Sequence, residues 1–398
     1  MESYHHQRGT GAPADYKIAW VSDLGSIQRD QWDALAKPLA FPFLEWDWLR
    51  TLELSRSTVI ETGWLPHHLT IWSGDRLVAA APLFIKGHSA GEFVFDHVWA
   101  DVAERMGIAY FPKLVGMSPF TPMIGYRFLM APDIDESVVT RLMLNGIDEF
   151  CHQAGLSGVS FLFVEPSWGR RMLDFGFQKW KHLSFAWTNR DFQNFEGYLG
   201  KFKSNQRRNI KRERQALRRQ GIAIRVFTGD SIPAEYIPRM YSFYESTNDK
   251  FGPWGCKYLT PAFFNQVGDR FSDRLVVVAA FRNGDSQAPL GMSFLVRKQD
   301  RLYGRYWGSR HEIPMLHFNA CYYTPIEWAI DNGIQQFDPG AGGAHKIRRG
   351  FEAIPNHSLH RFTDERLQRI MVDHIDAINR LEGEQIDKLN RQLPFAKR

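Results

Sequence analysis

Three cysteines in 398 residues, Cys151, Cys256 and Cys321, are too few and too widely spaced for a disulfide framework or a paired-cysteine zinc site. They read as reduced, buried thiols. No apolar run of about 18 residues occurs, the length a membrane-crossing helix needs, and the opening MESYHHQRGTGAPADYK lacks the apolar stretch of a secretory signal. A cytoplasmic chain without a transmembrane segment is expected. No G-x-S-x-G elbow and no cluster at metal-ligand spacing is present, so neither an α/β-hydrolase nucleophile nor a resident metal is expected.

Apolar material is plentiful. With 44% hydrophobic and 14% aromatic residues, the chain can fill two cores, and its length exceeds what one ordinary core holds. The net charge of +5 is local: Lys201 to Arg219 carries nine Lys or Arg against one acidic residue, Glu213, and without that segment's +8 the remainder stands at −3. That pattern argues against a general nucleic-acid coat and for one phosphate-facing element.

Residues 1–15 are polar and read as a disordered tail. Helices are predicted from Asp30 to Ala36 and from Trp46 to Ser55. Two apolar runs around Ser73-Gly74-Asp75 signal a hairpin. Alternation along Glu92 to Trp99 predicts a strand with Glu92 and Asp96 on one face and Phe93, Phe95, His97 and Trp99 on the other. A helix from Ser137 to Ala154 and a strand from Gly158 to Val164 follow. The order then recurs, with helices Pro233 to Asn248 and Pro261 to Arg270, strands Leu275 to Phe281 and Leu290 to Arg297 about an Asn283-Gly284-Asp285 turn, strand Leu302 to Trp307, helix His317 to Asn332 and strand Ile334 to Phe337. Hairpin-joined strands with helices between blocks indicate a mixed α/β (α+β) fold in two similar domains, 16–190 and 191–362, the second opening with a basic helix at 203–220. Residues 363–398 read as a charged helical tail.

Four blocks carry a family resemblance. They are Glu61 to Leu69 with Ala79 to Asp101, Tyr110 to Leu114 and Ser118 to Gly125; Ser204 to Gln215; Leu302 to Ser309 with Leu316 to Tyr323; and GAGGAHKIRRGF, Gly340 to Phe351. In order and spacing they resemble the FemAB-like family of N-acyltransferases within the GNAT acetyltransferase superfamily. The resemblance implies two tandem GNAT-like domains, each a largely antiparallel sheet flanked by helices, with a substrate cleft near their junction. It also implies transfer of an acyl or aminoacyl group to an amine, linked by analogy to peptidoglycan biosynthesis. Acyl-CoA is the favoured co-substrate, aminoacyl-tRNA the alternative, and no tightly bound cofactor is expected. The family pattern has a Glu where this chain has Asn319 and another where it has Ala344, so activity depends on a replacement base, and a non-catalytic binding protein is the competing class.

Acyl transfer to an amine needs a base, donors for the oxyanion and a hold on the activated group, without an obligatory covalent intermediate. Gly340, Gly342 and Gly343 after a strand can bring backbone close to a ligand, while Lys346, Arg348 and Arg349 supply charge. His345 is the first candidate for the base, with Asp338, Glu92 and Asp96 as alternatives. On the basic helix, Arg207, Lys211, Arg214 and Arg218 share one face and form either a phosphate-binding stripe or a solvated surface. Lys86, His88, Trp99, Lys113, Thr121, Arg305, His317, Asn319 and Tyr322 are candidate cleft residues, although several also fit ordinary core patterning.

Overall fold

The computed structural model describes residues 16–252, 255–283 and 288–396. The expected tail at 1–15 lies outside them, as do Gly284 and Asp285 of the expected turn. Two compact units form, neither of them one stretch of chain: the first holds the described residues up to His182 with Asn356–Glu382, the second Leu183–Pro355 with the described residues from Gly383.

In the first unit, β1 (Tyr16–Val21), β3 (His68–Ser73), β4 (Arg76–Ala81) and β7 (Leu129–Met130) make a four-stranded sheet, in that order. The hairpin β3–β4 pairs Ser73 with Arg76 across the expected turn. Helices α1 (Arg29–Ala36) and α2 (Trp46–Leu54) bury Trp32 and Trp48. Further strands of this unit, β2 (Trp64–Pro66), β5 (Leu83–Lys86), β6 (Lys113–Gly116) and β8 (Gly158–Phe161), pair in sequence, and the C-terminal half of β15 (Glu352–Phe362) adds beside β8. The β6–β8 pair is parallel and is bridged by α4 (Glu136–Gln153), as a parallel pair requires a crossover.

The second unit repeats this device. Its antiparallel run β10 (Ile222–Thr228), β11 (Leu275–Arg282), β12 (Gly291–Lys298) and β13 (Arg301–Ser309) continues into β14 (Gln336–Asp338), parallel to β13, with β14 antiparallel to the end of β9 (Gln178–Thr188). Its crossover is helical: α10 (Leu316–Phe318), a π-helical turn Asn319–Tyr323 and α11 (Thr324–Asp331). Pro325 has no amide proton to give to the residue 321 carbonyl, and the wide turn lies just there. Flanking helices are α6 (Phe195–Gly200), α7 (Ser204–Arg219), α8 (Tyr236–Asp249) and α9 (Pro261–Phe271). Ile210 is a buried anchor of α7 in the same core as Trp187, Leu302, Tyr323 and Phe337, whereas Leu217 packs in a smaller cluster with Ile222, Ala280 and Leu316.

Two expectations change. Glu92 to Trp99 is a loop leading into helix α3 (His97–Arg105), not a strand; a left-handed Phe93 (φ 57°) breaks the extended path, and Trp99 is a buried helical residue. The segment read as a charged helical tail is helical, α12 (Glu365–Asn390), but is packed rather than free: its Leu367, Met371 and Ile375 lie with Trp99, Tyr110 and Phe362 in the first unit. Sparse apolar positions suffice because all three fall on one face.

Candidate active site

In the second unit, β14 ends at Asp338 and the chain turns through Gly340, Gly342 and Gly343 at φ of +86°, +74° and +85°, a region that disfavours any residue with a Cβ. A Cβ at Gly343 would stand 2.4 Å from His345 Cε1, so glycine there is what lets the imidazole lie back over the loop. Asp338 Oδ1 accepts from the Gly340 amide at 2.9 Å, and Lys346 Nζ donates to the carbonyls of Gly340 (2.7 Å) and Ala341 (3.0 Å). Burial pushes the Asp338 carboxyl up and the Lys346 ammonium down, each countered by the other's charge. These two groups brace the loop from inside.

A cleft of about 600 Å³ opens beside this loop. One wall is α7, through Gln206, Asn209, Arg212 and Glu213; the other is the 3₁₀ turn Ala344–Arg349, and Phe318 and Gln392 also line it. Its size is that of a small-ligand site. His345 is exposed on the wall, and its Nε2 lies 3.0 Å from the Tyr322 hydroxyl. Burial, then the charges of Arg349 and Lys346, hold the imidazole below its ordinary 6.5, which favours the neutral ring at pH 7. If Nε2–H donates to Tyr322, Nδ1 carries the lone pair.

Arg349 ties the walls together. Its Nη1 donates to the His345 carbonyl at 2.9 Å, its Nη2 lies 3.2 Å from Glu213 Oε2, and its guanidinium sits 3.4 Å from the Phe318 ring centroid. The Tyr323 hydroxyl donates to the same Glu213 oxygen at 2.5 Å, and Tyr198 donates to the Arg349 carbonyl at 2.5 Å. Gln206 Nε2 donates to the Arg348 carbonyl at 2.8 Å, which leaves the Arg348 side chain exposed.

The expected residues divide. His345, Arg348, Arg349 and Ala344 line the cleft, and Tyr322 reaches it by touching His345. Asn319 is turned inward, its Nδ2 donating to the carbonyls of Glu213 (3.1 Å) and Met315 (2.9 Å). The His317 ring lies tilted against Trp307 and edge-on to His345, its pKa pushed down to about 4 chiefly by burial. Arg305 donates to the Tyr306 hydroxyl at 2.7 Å. The helix stripe does not form the cleft wall: Lys211 pairs with Glu196 at 2.8 Å, Arg214 with Glu327 and against the Phe195 ring, and neither these nor Arg207 and Arg218 line the cleft. Carboxylates distant in sequence supply the counter-charges that the local composition lacks. Sequence reasoning missed Glu213, Gln206, Asn209 and Arg212; the one signal available was Glu213 itself, a lone acid in a basic helix.

In the first unit, Lys113 Nζ lies 2.8 Å from Glu92 Oε2 and 2.5 Å from Asp96 Oδ2, all three buried. Tyr110 (2.8 Å) and Ser89 (2.5 Å) also donate to Asp96. Lys86, the cross-strand partner of Lys113, donates to the Ala90 carbonyl at 3.1 Å over the Trp64 ring, and burial lowers its pKa to about 7. Thr121 is buried too, and His88 is exposed, its Nδ1 accepting from the Ala90 amide. Glu92 and Asp96, expected on one strand face as alternative bases, instead belong to an interior ion cluster, because the loop folds inward onto Lys113. Nearby, Ser160, His360, Ser358 and His182 form a hydrogen-bonded chain with steps of 2.9, 2.7 and 2.7 Å.

No group of His, Cys, Asp and Glu that could hold a metal, and no helix long and apolar enough to cross a membrane, occurs among the described residues. Residues 23–397 match the FemAB-like family, described as peptidoglycan biosynthesis/recognition. The chain belongs to this family. Among solved structures, the FemAB-like chain is similar to the crystal structure of FemX, at a TM-score of 0.53 and 13% identity over 87% of this chain and 98% of that one. A conserved protein of unknown function from Bacteroides thetaiotaomicron gives 0.50 at 9% identity, over 86% and 99%. At these identities the likeness is one of fold: mixed sheets flanked by helices. No curated protein matches the chain.

Proposed function

We propose that this FemAB-like protein moves an acyl or aminoacyl group from an activated donor, acyl-CoA before aminoacyl-tRNA, onto an amine, and that the cleft of the second unit is where it does so. The observation that carries this reading is the placement of His345: an imidazole on a cleft wall that Arg212, Arg348 and Arg349 also line, hydrogen-bonded to Tyr322, with partial burial and two neighbouring cations holding its pKa below the ordinary 6.5. A neutral imidazole is the group that can take a proton from an ammonium near pH 7. In the step, the acceptor's ammonium first gives one proton through His345 Nδ1 to water, the amine lone pair attacks the thioester carbonyl carbon, Nδ1 takes the second proton from the attacking nitrogen, a C–N bond forms and the C–S bond breaks. The imidazolium returns its proton to the departing thiolate. Arg348 and Arg212, whose side chains are exposed, are the cations available to the donor's phosphates or the developing oxyanion. Lys346 is spent on loop carbonyls and serves geometry instead.

The test is a screen of thioester donors against amines, following free thiol release and product mass, with aminoacyl-tRNA as a parallel donor. Turnover with either donor that drops about a hundredfold in His345→Ala, the usual loss for a general base, supports the reading. Full activity of that variant removes it.

A further inference from the structure

Glu213 is the one carboxylate on the cleft wall among the described residues. Its two oxygens are not equivalent. Oε2 accepts from Tyr323 and pairs with Arg349, whereas Oε1 has no partner among the described residues. Beside it on α7, Arg212 makes one side-chain contact, Nη2 to Asn209 Oδ1 at 3.0 Å, and Arg348 stands opposite on the 3₁₀ turn with its guanidinium unpartnered. The Glu213–Arg349 pair is neutral overall, so the cleft presents two uncompensated arginine charges and one carboxylate that two donors anchor at Oε2, with Oε1 left to a ligand.

This arrangement fits a ligand with charge of both signs. Two guanidinium forks suit a phosphate or carboxylate, and a fixed carboxylate oxygen suits the hydrogens of a primary ammonium, which arginines would otherwise repel. A solvated basic face would need no acid fixed within it. We infer that Glu213 is the ammonium-binding residue of the cleft and that the acceptor is a primary amine carried on the same molecule as a phosphate or carboxylate, which Arg212 and Arg348 hold. The inference rests on the transfer reading for the word acceptor, but not for the binding chemistry. Glu213 then sets the amine near His345, to which it is already linked through Arg349 and the His345 carbonyl.

Two probe pairs test it by ligand-observed NMR titration: phosphoethanolamine against ethyl phosphate, and β-alanine against propionate. In the wild type, the amine-bearing member of at least one pair should bind roughly tenfold more tightly, the scale of one hydrogen bond between charged groups. Glu213→Gln, which keeps an acceptor for Tyr323, should bring that ratio close to one while leaving the amine-free member little changed. Arg212→Gln with Arg348→Gln should weaken both members together. A merely structural role for Glu213 would leave the ratio where it was. No amine preference in either pair, no binding at all, or a preference that survives Glu213→Gln overturns the inference. Acyl transfer without amine preference would keep the transfer reading and lose this one; amine preference without any transfer would do the reverse.

Discussion

Each unit contains a cluster of lysine or arginine with carboxylates and a tyrosine, and the two clusters differ in one respect, access to water. Lys113, Glu92 and Asp96 are sealed inside the first unit with Tyr110 against them. Glu213 and Arg349 line a 600 Å³ cleft in the second, with the buried Tyr323 behind them and an exposed imidazole beside them. The same residue types thus form a strut in one place and a candidate reaction site in the other. In the dry cluster two buried carboxylates share one buried ammonium, and loss of that ammonium strands both. In the open cluster a missing partner can be replaced by water or ligand.

The largest stability effect should follow from breaking the dry cluster. Lys113→Met leaves Glu92 and Asp96 buried without the ammonium they share and is expected to cost about 3–5 kcal/mol in urea unfolding. Adding Glu92→Gln and Asp96→Asn to that variant should recover much of the loss. Recovery would confirm that stranded charge, not lost packing, causes the damage; none would mean the comparison is wrong.

His345→Ala reverses the pattern, with turnover expected to fall about a hundredfold while the melting temperature hardly moves. The pH profile of turnover sharpens this. Because the folded imidazole is held below 6.5, it is neutral and able to act above that value, and the rate should drop only as pH falls through a midpoint lower than 6.5. A midpoint above 6.5 would exclude His345 as the group titrating.

Acid should also lower the stability of the first unit. Burial pushes His182 and His360 down to about 3, while in the unfolded chain they protonate near 6.5. Between those values the unfolded state binds more protons, so their contribution is complete above pH 6.5 and is lost as pH falls from there toward 3. Urea midpoints should decline from pH 7 to pH 5, and His360→Asn should flatten that slope.

Restoring acids at the two positions where the family pattern has Glu gives a smaller and divided effect. Ala344→Glu faces the cleft and should alter the pH profile of turnover with the fold kept, whereas Asn319→Glu loses two buried donations and should chiefly lower stability, by about 1–3 kcal/mol. Equal effects at both sites would contradict the inward turn of Asn319. The smallest change is expected for Lys211→Gln, whose exposed pair with Glu196 should be worth about 1 kcal/mol or less in thermal unfolding.

Most helices and the hairpin strands were legible because their burial follows apolar periodicity, as in α4 and α9, or a continuous apolar run, as in β11. Strand β15 was not. Its buried positions include Asn356, Ser358 and His360, so a test that looks for alternating apolar residues finds none. Glu92 to Trp99 failed the other way, alternating correctly for a strand that a left-handed Phe93 prevents.

The candidate site divides along the same line. By itself the sequence determined the family, the glycines that allow the loop after β14, and His345 as the titratable group within it, because these depend on residue identity and local backbone freedom. Only the tertiary structure decided that Lys346 and Asp338 brace that loop, that Arg214 and Lys211 are already neutralised, and that Glu213 meets Arg349 across 136 positions of chain. Charge pairing and burial are properties of what lies nearby in space, and no spacing along the chain reports them.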